Sequence, residues 1–91
     1  MNVPIEEAAA IGPVVRAVRK AQGIRQDDAA GSMGVSENFL GKVERGGESV
    51  QWGKLFAVLH GLGVRVMVDV PDASAPVLQA QLGRGKKRGQ A

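Results

Sequence analysis

The sequence predicts an all-α domain of four or five helices with one β-strand at its C-terminal end. Three features predict it. Apolar residues recur at three- and four-residue spacing across residues 13–62, glycines interrupt that pattern where helices would end, and residues 64–70 alternate strictly. At 91 residues the chain has room for one domain with a modest core, a size at which association with a second copy is a reasonable expectation.

Residues 1–10 read as a frayed lead-in, residues 11–71 as the domain, and residues 72–91 as a basic disordered tail. Pro13 suits the start of the first helix, since it lacks an N–H that a first-turn residue leaves unpaired anyway. Val14, Val15 and Val18 line one side of that helix, and Gly23 stops it. A short second helix follows over 26–33, with Asp27 and Asp28 in its first turn, where the helix dipole favours negative charge. Gly31 costs this helix stability, and its small size allows close packing. Gly34 turns the chain in a left-handed conformation, and Ser36 is a good N-cap for a third helix over 37–45. Ser49 is positioned to cap a fourth helix over 50–62. There Val50, Leu55, Val58, Leu59 and Leu62 supply core, and Trp52 and Phe56 fill the flanks.

In residues 64–70, Val64, Val66, Val68 and Val70 share one face and Arg65, Met67 and Asp69 the other, as in a strand with one buried face that ends at Pro71. No other stretch alternates convincingly, and an isolated strand leaves its backbone groups unpaired. The economical solution is an antiparallel ribbon with the same segment of a second copy across a twofold axis. Pairing with residues 2–5 is the alternative.

Composition narrows the function classes. The chain has no cysteine, which excludes disulfides, thiolate metal sites and cysteine nucleophiles and suits a reducing cytosol. No stretch approaches the roughly 20 apolar residues that cross a bilayer, and the N-terminus lacks a signal-peptide layout. The expected location is the cytoplasm, at the nucleoid. The net charge is +3, but Arg84, Lys86, Lys87 and Arg88 account for +4, which leaves residues 1–72 at −1. Any nucleic-acid surface must therefore come from local segregation of charge. His60, the sole histidine, has no plausible dyad partner, and the adjacent Asp27 and Asp28 cannot converge on a metal. No Gly-rich loop follows a strand. The expectation is a protein that is not an enzyme and uses no cofactor or metal.

Residues 26–45 carry the functional signal. Helix, tight turn and helix follow in sequence. In the last of these Ser36, Leu40 and Val43 point one way with Glu44 at the edge, while Asn38, Gly41, Lys42 and Arg45 point the opposite way. A rigid helix presented this way fits the DNA major groove, where each base pair shows a distinct pattern of donors and acceptors. Gly41 would allow the groove wall to approach closely.

Gln26, Ala30, Gly34-Val35-Ser36, Leu40, Val43, Glu44, Arg45 and Gly46 together resemble the phage-repressor-like helix-turn-helix family, of the XRE/Cro type. The run from Val43 to Val70, a Gly-rich loop, a fourth helix and a single strand, is similar to the antitoxin branch related to HipB. The similarity spans residues 12–70. Three positions depart from the family pattern: Arg25 replaces the usual small capping residue, Ala29 a leucine, and Phe39 a polar residue.

The resemblance implies a lambda-repressor-like fold whose C-terminal strand pairs across a homodimer. It implies base contacts from Ser36, Glu37, Asn38 and Lys42 to double-stranded operator DNA. Their chemistry fits such contacts, since Asn38 matches adenine, Lys42 donates to guanine, and Glu37 accepts from cytosine N4. Glu37 has an equal alternative as a solvated surface residue. Gln26, in the family role of holding a phosphate, is joined by Arg25, Arg45 and Gly47, and both arginines have the alternative of plain surface charge. Arg19 and Glu44 match a family ion pair that is structural. The implied function is a sequence-specific repressor that binds a palindromic operator as a dimer and, as an antitoxin, neutralises a HipA-like kinase toxin. A stand-alone regulator and a nonspecific chromosome-binding protein are the alternatives. The RGKKR run at 84–88 has three readings: nonspecific DNA affinity, a partner contact, or solubility.

Overall fold

The computed structural model describes residues 1–90, with side-chain surroundings given through Gly83. A 3-10 turn at Ala8–Ala10 leads into α1 (Ile11–Ala21), α2 (Gln26–Met33), α3 (Glu37–Glu44) and α4 (Trp52–Gly61), and a second 3-10 turn at Asp72–Ser74 leads into α5 (Ala75–Gln90). Helix α1 begins two residues before Pro13, so the proline sits inside the first turn, where its missing N–H leaves no gap.

The core is Val15 of α1, Ala29 and Ala30 of α2, Leu40 and Val43 of α3, and Val58, Leu59 and Leu62 at and after α4, all buried. Burial of these side chains is the main driving force holding the four helices together. Two features fix how close the helices come. Gly12 presses on the C-terminal end of α3: a Cβ there would lie 2.6 Å from the Val43 carbonyl oxygen and 2.8 Å from the Gly46 nitrogen. The Gln22 side chain donates to the Leu62 carbonyl at 2.8 Å and ties the end of α1 to the end of α4.

Four expectations are corrected. Residues 64–70 form no strand, and no strand occurs among the described residues, because a ladder needs a neighbour that one chain does not supply. Residues 2–5 come near residues 64–67 around a shallow groove over α1, yet no backbone hydrogen bond joins the two segments. Residues 72–90, expected to be disordered, contain a 3-10 turn and α5; Pro76 in the first turn followed by Val77, Leu78 and Leu82 is a usable helix start. The readings of the basic run at 84–88 lie outside the described side chains. The N-cap of α4 is Gln51, whose side-chain oxygen accepts from the Lys54 N–H at 2.5 Å, in place of Ser49. Trp52 and Phe56 do not fill a flank: they are 73% and 37% exposed and pack on each other with ring centroids 4.7 Å apart.

Candidate DNA interface

The turn between α2 and α3 is built by local chemistry. Gly34 takes the left-handed conformation at φ 73°, and the Val35 N–H returns to the Ala30 carbonyl at 3.1 Å. Ser36 then sits in an extended conformation, and its hydroxyl accepts from the Phe39 N–H at 3.0 Å, which satisfies a donor at the start of α3.

Helix α3 is divided by burial. Leu40 is fully buried and Val43 is 1% exposed, which orients the helix, while Glu37, Asn38, Lys42 and Arg45 are exposed. Ser36, expected on the side of Leu40 and Val43, is exposed as well, because it precedes the helix as an extended N-cap and does not follow helical spacing. Asn38 is exposed and makes no side-chain hydrogen bond to another described residue, which leaves its amide available to a base edge. The Lys42 ammonium donates to the Ser49 carbonyl at 2.9 Å, across the α3–α4 loop. Gly41 departs from its expected place. It is buried, and a Cβ on it would lie 3.0 Å from an Arg45 guanidinium nitrogen and 3.7 Å from the Gln26 side-chain amide. Those two long side chains cover the glycine, so the outer face of α3 is polar even at its smallest residue.

Behind that face lies a charged network. Arg19 donates to both carboxylate oxygens of Glu44, Nε to Oε2 at 2.6 Å and Nη2 to Oε1 at 2.9 Å, and Nη1 donates to the Ile24 carbonyl at 2.8 Å. Gln26 completes it by donating to Glu44 Oε1 at 3.2 Å. The Arg19 hydrogen bond, aided by that of Gln26, holds the Glu44 carboxyl below the usual glutamate range against the opposing effect of burial, and Glu44 in turn raises the Arg19 guanidinium. No buried side-chain polar atom is left without a partner among the described residues. At the same end of α2, Arg25 lies exposed beside Asp27 at 3.1 Å and provides no side-chain cap. Gly47 donates its N–H to the Lys42 carbonyl at 2.9 Å; a Cβ there would meet the Lys42 side chain at 2.7 Å.

Sequence reasoning missed Gly12, whose close approach carries no signal in a single sequence, and the cover over Gly41. The Arg45 position on the helical wheel, four residues after Gly41, was the one available hint for the latter.

A helix–turn–helix whose second helix is anchored by an apolar face and carries an exposed polar one defines a DNA-binding domain. Sequence comparison agrees: residues 15–66 match the Helix-turn-helix family, and the chain belongs to that family. It is 42% identical over 67 residues to the HTH-type transcriptional regulator y4mF of Sinorhizobium fredii, a match covering 74% of this chain and 88% of the relative. Among solved structures it superposes on HipB in the HipA-HipB-O2-O3 complex with a TM-score of 0.70 at 15% identity, covering 78% of this chain and 100% of that one. The clp gene regulator ClgR from C. glutamicum gives a TM-score of 0.57 at 31% identity over 71% of this chain and 82% of that one. The chain is thus an HTH-type, DNA-binding transcriptional regulator. No helix among its described residues is long and apolar enough to cross a membrane.

Proposed function

We propose that the chain is a dimeric repressor that reads a palindromic operator with α3. The observation that carries this reading is the division of α3: Leu40 and Val43 are buried while Asn38 and Lys42 are exposed on the opposite side. In this reading Asn38 and Lys42 contact base edges, with Ser36 and Glu37 at the mouth of the groove. Gln26, Arg25, Arg45 and Gly47 approach phosphates and set the register. The Lys42 contact to Ser49 is exposed and gives way to a base at small cost, because solvent competes for it in the free protein. Residues 64–70 of two copies pair, and the two α3 helices lie roughly 34–36 Å apart, one turn of DNA.

The likeness of the fold to HipB, solved in complex with HipA and with operator fragments, supports a finer reading as an antitoxin that also neutralises a HipA-like toxin. A stand-alone regulator is the second reading, and the name of the y4mF relative, a transcriptional regulator, fits both. A footprint of the purified protein on its own upstream DNA tests the repressor: protection of a twofold-symmetric site supports it, and uniform protection contradicts it. Co-purification with the product of an adjacent gene separates antitoxin from stand-alone regulator.

A further inference from the structure

Among the described residues, no backbone hydrogen bond joins residues 65–70 to another segment: Val66, Met67 and Val68 are 50%, 74% and 78% exposed, while Val64 packs against the edge of the core. We propose that a second copy covers this segment in one register only, an antiparallel ribbon whose twofold axis passes through Met67, with Arg65 of each chain opposite Asp69 of the other. This rests on the dimeric reading above and specifies its contact.

Three independent features select that register. The first is the pleat. Only registers that set even-numbered residues opposite even-numbered ones keep all the valines on one face, since a slip by one residue turns the strand over. The second is charge. With the axis at Met67, Val64 faces Val70, Val66 faces Val68, and Arg65 faces Asp69 twice, once on each side of the axis. Moving the axis to Val66 sets Arg65 against Met67 and Asp69 against Gly63; moving it to Val68 sets Arg65 against Pro71.

The third feature is which amides are free. The Val64 N–H is already given to the Leu59 carbonyl at 2.9 Å, and the Gly63 N–H to the His60 carbonyl at 3.0 Å. Val64 and Val70 must therefore form a pair that exchanges no hydrogen bonds, so the valine pairs are the close, side-chain-rich ones and Arg65, Met67 and Asp69 carry the ladder. The next ladder position would set Gly63 against Pro71, which has no N–H, and there the ribbon ends on both sides at once. Left-handed Gly63, at φ 78°, starts the segment where its symmetry mate Pro71 stops it.

Charge reversal tests the register. Sedimentation equilibrium of the full chain gives the dimer dissociation constant for wild type, Arg65→Asp, Asp69→Arg and the double variant. Each single change replaces two opposite-charge contacts with two like-charge ones and is expected to weaken the dimer about tenfold or more, with the double variant back within about threefold of wild type. Hydrogen exchange on the wild-type dimer supplies a second readout free of mutation: the amides of Arg65, Met67 and Asp69 are slowed, those of Val66 and Val68 are not. Single variants that dimerise like wild type, a double variant no better than the singles, or protection of Val66 and Val68 overturns the register. A dimer that still footprints its operator yet ignores both reversals overturns the register alone; a wild-type chain that stays monomeric overturns the dimeric reading with it.

Discussion

Arg19 of α1 and Glu44 at the end of α3 close on each other through two hydrogen bonds of 2.6 and 2.9 Å, both side chains almost out of solvent. The pair fixes the angle at which the outer face of α3 is presented. It sits directly behind the proposed reading surface, and Gln26 links it to the start of α2.

Glu44→Gln keeps the shape of the side chain and removes its charge, leaving the Arg19 guanidinium buried without a counter-ion. Such a change is expected to cost about 3 kcal/mol. Urea unfolding followed by circular dichroism at neutral pH measures it, and a loss below about 1 kcal/mol would mean that the pair contributes little to the fold.

The same contact predicts the pH dependence. Glu44 is held below the usual glutamate range in the folded chain, first by its hydrogen bond from Arg19, so the unfolded chain binds the proton more tightly. Its contribution is complete above the ordinary glutamate range and is lost as pH falls from that range through the lower folded value. Unfolding free energy of the wild type should decline on acidification more steeply than that of Glu44→Gln, and parallel declines would show that other groups dominate.

Gly12→Ala tests the α1–α3 contact. Its Cβ would meet the backbone of Val43, Glu44 and Gly46 at 2.6–2.9 Å, atoms that no side-chain rotation can move. The expected cost is about 1–3 kcal/mol, seen as a lower Tm, since overpacking forces the backbone apart. An unchanged Tm would show that the helices separate freely there.

Gly31 and Gly34 form an internal control, because a Cβ on either meets nothing within 4 Å. Gly31 lies in helical conformation in α2, so Gly31→Ala should stabilise by about 0.5–1 kcal/mol. Gly34, at φ 73°, should lose about 1–2 kcal/mol as alanine through conformation alone. Thermal melts of the two variants should therefore move in opposite directions.

How much of this was legible in the sequence follows from what each feature depends on. The ends of α2 and the start of α3 were readable from Gly34 and Ser36, because a left-handed turn and an N-cap are local events. The buried positions Leu40 and Val43 followed from helical spacing. The exposure of the α4 aromatics is only partly legible in helical spacing. Leu55, Val58, Leu59 and Leu62 set the inward direction and Phe56 lies well off it, whereas Trp52 shares the side of Leu59 but is the first residue of α4 and stands exposed at the helix end, a position that spacing does not reveal. The small size of Gly31 suggests close packing, yet a Cβ there would meet nothing within 4 Å. The alternation in 64–70 was plain, but a strand exists only with a partner, so one chain shows the pattern without the ladder. The cover of Gln26 and Arg45 over Gly41 depends on where two long side chains settle, which spacing does not specify.

The central claim is that the exposed face of α3 reads bases. Titration of the operator defined by the footprint, and of a scrambled duplex, with wild type, Asn38→Ala and Lys42→Ala at one fixed salt concentration tests it most directly. Each variant should lose roughly 1–3 kcal/mol on the operator and little on the scrambled duplex, so that discrimination shrinks. Variants that bind both duplexes as the wild type does would contradict the account.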